Sequence, residues 1–342
     1  MQENWQQIIS RFDSNEDFVL ATIVATRGST YRKTGTMMLI DQQGACTGLL
    51  SGGCLEADIS CHAQEVLHQT HNKLLTYDLK ADAELLWGLG LGCEGAIDIL
   101  LQPLNANNQH LEFVHLIQAI EQGQSGIYCQ QVSEQTVAQA CFIRAPLDDK
   151  ALLQQQVTNA ISGKNNDAKR WLVTPVTPVW SILLCGAGPD AAPVVTMAKQ
   201  LGWKVTLQDH RENNLAQSEF SLCDAKRKLR AEHLTTDDLA GFDAVIIMTH
   251  NLTNDGLLLK NALAADIDYI GLLGPAGRRD KLLAELSLTA SDVEQQVFGP
   301  IGLDIGGRSP QAIALSICAE IQQFISRQTQ QKNLKSWSLK CH

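Results

Sequence analysis

The sequence lacks any apolar run that approaches the ~18 residues a membrane-spanning helix requires. Its N-terminus, MQENWQQIIS, lacks the basic region and apolar stretch of a secretory signal peptide. It also lacks a basic patch, since the net charge is −10 and Lys226-Arg227-Lys228 is a short charge run typical of a solvated face. These absences predict a cytoplasmic protein that binds neither a membrane nor nucleic acid.

Metal-binding and disulfide patterns are missing as well. None of the 10 cysteines forms a CxxC pair, and no pair of histidines has zinc-finger spacing. A chain of 342 residues can build ordinary packed cores without disulfides. The pattern therefore predicts reduced thiols, most of them buried.

The length predicts about two domains. A polar segment over 162–170 is followed closely by Pro175 and Pro178, which is typical of a linker. We predict an N-terminal domain over 1–165, a linker over 166–178, a second domain over 179–327 and a loose polar tail over 328–342.

The two halves differ in periodicity. The first half predicts a mixed α/β domain with helices over 3–13 and 55–69, a strand over 18–25, and further strands near 73–79 and 95–102. After the linker, strands and helices alternate from residue 179 onward. This alternation predicts the α/β class, with a Rossmann-like, doubly wound parallel sheet in the second half.

A glycine-rich turn follows the apolar strand over 181–185. Its sequence is GxGxxA, formed by Gly186, Gly188, Pro189, Asp190 and Ala191. The first glycine allows a tight turn, the second allows a pyrophosphate to approach, and the alanine allows close helix packing. The turn predicts a site for NAD(P) or another adenine nucleotide, and a Rossmann domain without a ligand is the alternative.

Further residues qualify as nucleotide ligands. Asp209 ends the next strand and suits a ribose 2′-hydroxyl, whereas Arg211 suits a 2′-phosphate, so the choice between NAD and NADP stays open. His250 follows another strand and is a candidate acid–base group or a simple polar residue. Arg278 and Arg279 are candidates to clamp an anion, or they belong to the surface of a helix start.

Three loops in the first half resemble binding elements more than scaffold. Arg27, Gly28, Ser29 and Arg32 place cations and a hydroxyl beside glycine, which suits a phosphate or an oxyanion. Gly52 and Gly53 precede Cys54 at a predicted helix start, where the helix dipole favours a thiolate. Cys93 lies in GLGLGCEG, a run that exposes backbone amides. Thiolates suit a soft metal such as molybdenum, and buried structural thiols are the alternative.

Long runs of the sequence resemble one family. The N-terminal runs are ATIVATRGSTYRKTGTMMLID, GLLSGGCLEADI and GLGLGCEGAIDILLQPL. The C-terminal runs are LLCGAGPDA, VTLQDHR, IIMTHN, YIGLLGPAGRR and PIGLDIGGRSPQAIALSICAEI. In this order they resemble the blocks of the XdhC/CoxI family over about residues 16–326.

The resemblance implies a function and a set of ligands. It implies a homodimeric chaperone that binds molybdenum cofactor, protects it during sulfuration and inserts it into a xanthine-dehydrogenase-like molybdenum hydroxylase apoenzyme. A cysteine desulfurase is a further implied partner. The family's cysteines fall on Cys54 and Cys93, which become the expected molybdenum ligands, and the glutamate of the first cysteine block falls on Glu56.

The sequence departs from the family pattern at three places. Ser51 stands where the family commonly has a third glycine, Tyr31 where it commonly has proline, and Glu94 where it often has glycine. Two other functions remain open from the residues alone. One is an NAD(P)-dependent oxidoreductase that uses Asp209 and His250, and the other is a non-catalytic, nucleotide-responsive docking protein.

Overall fold

The computed structural model describes residues 5–78, 95–134, 137–147, 149–162, 170–331 and 335–340. The chain forms two compact units, one comprising Met1–Pro178 with Lys332–His342 and the other Val179–Gln331. Over the described ranges, no helix is long and apolar enough to cross a membrane. Cys93 and Glu94 lie outside the described residues.

The first sheet of the N-terminal unit is antiparallel, with strand order β3-β2-β1-β5-β4. Its elements are α1 (Trp5–Arg11), β1 (Phe18–Arg27), β2 (Met37–Ile40), β3 (Cys46–Thr47), α2 (Glu56–Gln69), β4 (Lys73–Asp78) and β5 (Ala96–Leu104). Helix α2 covers one face, where Ile59 and Ala63 pack against Val19 and Ile99. Because β1 is apolar on both faces, it lies at the centre of the sheet.

The second sheet of this unit is also antiparallel. Its strands are β6 (Gly126–Val132), β7 (Ala140–Arg144), β8 (Arg170–Val176) and β15 (Trp337–Lys340), in the order β15-β8-β6-β7. Helices α3 (Phe113–Glu121) and α4 (Lys150–Ser162) accompany it. The buried amide of Gln130 joins the two sheets, since its Nε2 donates to Thr22 at 3.0 Å and to Gln102 at 2.9 Å.

The structure differs from the predicted linker and the predicted loose tail. Within 166–178, Trp171 and Leu172 are buried and belong to β8, an interior strand. Pro175 inside the strand, Pro178 after it and the preceding polar run obscured this strand in the sequence. Of the tail over 328–342, the first part continues the last helix to Gln331, and β15 pairs with β8.

The C-terminal unit is a six-stranded parallel sheet in the order β11-β10-β9-β12-β13-β14. Its strands are β9 (Ser181–Cys185), β10 (Lys204–Asp209), β11 (Ala225–Lys228), β12 (Ala244–Ile247), β13 (Tyr269–Leu272) and β14 (Val297–Phe298). Its α-helices are α5 (Ala191–Gln200), α6 (Glu212–Leu215), α7 (Leu252–Ala264), α8 (Ala276–Glu285) and α9 (Pro310–Gln331).

Helices cover both faces of this sheet. Residues of α5 and α9, such as Val194 and Ile317, pack on Ile182 and Leu184. Residues of α7 and α8, such as Leu258 and Leu282, pack with Leu183 and Val245 on the other face. The predicted doubly wound, Rossmann-like fold is confirmed. Strand order reverses at β9 and β12, where such sheets form a ligand crevice.

The charged run Lys226-Arg227-Lys228 lies in the edge strand β11, which the sequence did not predict. Its cations have internal partners: Lys226 donates to the Leu215 carbonyl, Arg227 to the Asp238 carbonyl, and Lys228 to Glu212. An edge strand rich in lysine resists pairing with other chains. The run therefore forms the edge of the sheet and holds neighbouring segments in place.

Candidate functional site

Cys54 lies in a glycine loop directly before α2. Gly52 and Gly53 have φ angles of 105° and 104°, which residues other than glycine rarely adopt. A Cβ atom added at Gly53 would meet no atom within 4 Å, so the loop faces open space there. The Cys54 side chain is half-buried against the core of the first sheet. The loop thus presents a partly accessible thiol beside open backbone.

Glu56, the first residue of α2, holds this loop in place. Its carboxylate accepts the backbone N–H groups of Leu50 at 3.1 Å and Ser51 at 2.8 Å, and the Ser51 hydroxyl at 2.5 Å. Burial favours the neutral acid, but these hydrogen bonds outweigh burial and lower the pKa of Glu56. The resemblance places Glu56 among the cofactor ligands. The geometry instead makes it a positioning residue for the loop.

Ser51 explains one departure from the family pattern. Its hydroxyl also accepts the backbone N–H of Leu55 at 3.0 Å, so it bridges the loop and the helix start. Ser51 does not have a positive φ, so no glycine is required at this position. The substitution of serine for glycine therefore preserves the loop conformation.

The cation at Arg27 is paired within the unit. Its guanidinium makes a two-point salt bridge to Asp98 of β5, at 2.8 Å and 2.9 Å. The hydrogen bonds from Arg27 outweigh burial and, with a bond from Thr76, lower the pKa of Asp98. Sequence reasoning missed Asp98, because it lies 71 residues from Arg27 along the chain. Arg27 joins β1 to β5 and is not a free anion ligand.

Tyr31 lies beside the glycine loop that carries Cys54, and Arg32 lies over the Tyr31 ring. Gly28 has a φ of 69°, and Ser29 after it is exposed. The Tyr31 ring lies 3.9 Å from the position of a Cβ added at Gly52. The Arg32 Nε atom is buried and has no hydrogen-bond partner among the described residues. We call the surface formed by Tyr31, Arg32 and residues 52–54 the thiol site.

Cys46, a second thiol near α2, differs from Cys54. Its Sγ donates to the carbonyls of Gly44 at 3.8 Å and Glu56 at 3.9 Å. Burial raises the pKa of Cys46, and the nearby carboxylates of Glu56 and Asp41 raise it further. Cys46 therefore stays a protonated structural thiol and serves as a control for Cys54.

The glycine-rich turn of the C-terminal unit has the geometry its sequence predicts. Gly186 has a φ of 115°, and a Cβ added there would lie 2.5 Å from the Met248 carbonyl oxygen. At Gly188 an added Cβ would meet nothing within 4 Å. Ala191 is fully buried at the start of α5. Gly186 is thus required by the fold, whereas Gly188 borders open space.

Asp209 is engaged by the protein itself. Its carboxylate accepts the Ala187 amide at 2.8 Å and the Arg211 amide at 2.8 Å, and it accepts the Arg211 guanidinium at 3.0 Å and 2.7 Å. Burial opposes ionisation, but these hydrogen bonds prevail and lower the pKa of Asp209 to about 2. A carboxylate offers about four acceptor positions. Asp209 and Arg211 are therefore hydrogen-bonded to each other, and the Ala187 amide already donates to the Asp209 carboxylate.

Acidic charge also lies at the start of α5. Asp190 precedes the helix, and its carboxylate is 3.7 Å from Nε2 of His250. Pro189, beside it, is exposed. His250 is exposed and has a φ of 59°, an unusual conformation for a residue with a side chain. A carboxylate here opposes the binding of a pyrophosphate at the helix N-terminus.

The two predicted clamp arginines hold the fold instead. Arg278 forms a salt bridge at 2.5 Å to the buried Asp255, which also accepts the Thr249 hydroxyl at 2.5 Å. Arg279 donates to the Gly299 carbonyl at 2.6 Å and pairs with Asp280. Sequence reasoning missed the role of Asp255, which sits in the first turn of α7.

A cavity of about 240 Å³ lies at the carboxyl ends of β9, β10 and β12. The predicted nucleotide residues that line it are Gly186, Asp209 and Arg211. Gly188, Asp190, His250, Arg278 and Arg279 are not part of its lining. The structure thus brings together only part of the predicted nucleotide site.

The fold and the glycine turn define a Rossmann-type unit joined to a two-sheet N-terminal unit. Residues 182–321 match the family described as the XdhC Rossmann domain, and residues 12–78 match the XdhC and CoxI family. The chain belongs to the XdhC/CoxI family.

Known proteins resemble the chain over almost its full length. It is 29% identical to a probable xanthine dehydrogenase subunit of Bacillus subtilis, covering 92% of this chain and 95% of the relative. It is 22% identical to the molybdenum cofactor insertion chaperone PaoD of Escherichia coli, covering 90% and 83%. A crystal structure described as a xanthine dehydrogenase from Bacillus halodurans matches with a TM-score of 0.77 and 27% identity, covering 95% and 96%.

Proposed function

We propose that this protein is an accessory factor that binds molybdenum cofactor at the thiol site and inserts it into a molybdenum hydroxylase. The observation that carries the proposal is the half-buried Cys54 thiol on a loop that faces open space at Gly53. The name of the Escherichia coli relative, a molybdenum cofactor insertion chaperone, supports the same role.

The chemistry of the thiol site suits this cargo. Thiolates prefer soft metals, so Cys54 is the proposed molybdenum ligand. We propose that the cationic guanidinium of Arg32 pairs with the phosphate of the cofactor, with the exposed Ser29 hydroxyl close to it in sequence. The open backbone at Gly53, next to Cys54, leaves room for a bulky ligand to approach the sulfur.

Several parts of the proposal rest on the family resemblance alone. These are the role of Cys93 as a second molybdenum ligand, the homodimer, the cysteine desulfurase partner and the cytoplasmic location. The client enzyme has support from a relative, since the Bacillus subtilis protein is named as part of a xanthine dehydrogenase. We propose a xanthine-dehydrogenase-like apoenzyme as the recipient of the cofactor.

The alternative of an NAD(P)-dependent oxidoreductase has weaker support. Its ribose ligand, Asp209, is occupied by Arg211 and the Ala187 amide. Its pyrophosphate position carries the Asp190 carboxylate. Among the described residues, no specific contact favours the third alternative, a nucleotide-responsive docking protein. We therefore propose that the Rossmann unit does not use a dinucleotide for hydride transfer.

The proposed cargo can be measured directly in the purified protein. Protein purified from molybdenum-replete cells is expected to contain molybdenum and pterin in equal amounts, because one thiol site holds one cofactor. Metal analysis by mass spectrometry and fluorescence of the oxidised pterin measure both. The control is protein from cells grown with tungstate in place of molybdate. Preparations that contain neither pterin nor molybdenum above this control would contradict the proposal.

A further inference from the structure

Tyr31 is an aromatic side chain left in solvent. It is 59% exposed, and among the described residues no other phenylalanine, tyrosine or tryptophan is exposed. Large aromatic rings bury much of their surface in cores and interfaces. The exposure of this ring therefore marks Tyr31 as a candidate contact for a ligand.

The ring lies against the glycine loop that carries Cys54. A Cβ added at Gly52 would be 3.9 Å from three atoms of the Tyr31 ring, Cδ1, Cδ2 and Cε1. Cys54 is two residues further along, and consecutive Cα atoms are ~3.8 Å apart. The Tyr31 ring therefore lies beside the loop that carries the Cys54 thiol.

Arg32 supports the ring and adds charge. Its guanidinium carbon lies 5.3 Å from the centroid of the Tyr31 ring, within the range of a cation–π contact. No described carboxylate pairs with this guanidinium, in contrast to Arg27 and its partner Asp98. The thiol site therefore combines an aromatic ring, a thiol and a guanidinium that has no carboxylate partner within the described part of the chain.

We propose that Tyr31 is a stacking platform for the planar pterin of the molybdenum cofactor. This inference rests on the proposed function and assigns a part of the ligand to each group. The pterin stacks on Tyr31, the phosphate pairs with Arg32, and the metal meets Cys54. A ligand that is planar, anionic and thiophilic at separate positions matches all three groups, whereas a free phosphate or a simple metal ion matches only one.

The test uses metal-free pterin as the probe and its fluorescence anisotropy as the readout. Tyr31→Leu is expected to weaken pterin binding about tenfold, because stacking on an aromatic ring contributes on this order. Tyr31→Phe and Tyr31→Trp keep a π face and are expected to bind within about twofold of the wild type or more tightly. Leu315→Ala is the matched control, since Leu315 is 53% exposed in the other unit.

The measurements distinguish a wrong stacking role for Tyr31 from a wrong metal ligand. If Tyr31→Leu binds pterin as well as the wild type, or if the wild type does not bind pterin, the stacking role is wrong. Molybdenum retention is measured in parallel on Tyr31→Leu and Cys54→Ser. Loss of molybdenum in Cys54→Ser with unchanged pterin affinity in Tyr31→Leu would overturn only the inference. Wild-type molybdenum content in Cys54→Ser would overturn the proposed ligand.

Discussion

Cys54→Ser is expected to retain at most about one tenth of the molybdenum that the wild-type protein retains. The reason is that substitution even of residues that only hydrogen-bond to a metal ligand lowers metal affinity by ~10-fold or more. A serine hydroxyl is a hard donor and stays protonated at neutral pH, so it does not replace a thiolate toward a soft metal. The measurement is the molybdenum content after gel filtration, with thermal unfolding as a check that the unit is intact.

The chain provides matched controls for this substitution. Cys46→Ser changes a half-buried thiol that donates to the Gly44 and Glu56 carbonyls, and Cys61→Ser changes an exposed thiol on α2. Both variants are expected to keep the wild-type molybdenum content. Equal losses in all three variants would show a general effect of cysteine removal. Full retention in Cys54→Ser would show that Cys54 is not the ligand.

Gly186→Ala is expected to destabilise the Rossmann unit by about 3 kcal/mol or more, since strain and overpacking each cost on the order of 1–3 kcal/mol. The added Cβ would lie 2.5 Å from the Met248 carbonyl oxygen, and the φ of 115° suits only glycine. The backbone around Met248 cannot yield easily, because Met248 follows the buried strand β12.

Gly188→Ala provides the comparison, because a Cβ there meets nothing within 4 Å. It is expected to change stability by less than ~0.5 kcal/mol, as for an ordinary surface position. Urea unfolding, followed for each unit separately, measures both variants. An equal loss in the two variants would contradict the geometry of the turn.

Local patterns in the sequence predicted much of the fold. The alternation after residue 179 predicted the parallel sheet, and the GxGxxA turn predicted the strand, turn and helix around Gly186. Strand β11 was missed because a run of charged residues does not show strand periodicity. Strand β15 was missed because its partner, β8, lies far earlier in the chain, and a short strand gains its stability from such pairing.

The candidate site was harder to predict, because it depends on partners distant in sequence. Residue types alone indicated a free cation at Arg27 and a ribose ligand at Asp209. In the structure, Arg27 forms a salt bridge with Asp98. The Asp209 carboxylate accepts hydrogen bonds from Arg211 and from the Ala187 amide. The sequence did identify the glycine loop before Cys54, because helix starts and glycine runs are local signals. The contact between Tyr31 and Gly52 became visible only in the structure.

The central claim is that the protein delivers cofactor and does not oxidise a nicotinamide. The most direct measurement mixes cofactor-loaded protein with a molybdenum-free apo-hydroxylase and follows the recovery of hydroxylase activity. In parallel, the purified protein is screened with NADH and NADPH against aldehydes, ketones and quinones. We predict activation by the wild type, weak activation by Cys54→Ser and no NAD(P)H oxidation. NAD(P)H oxidation that depends on His250, with no activation of the apoenzyme, would contradict the account.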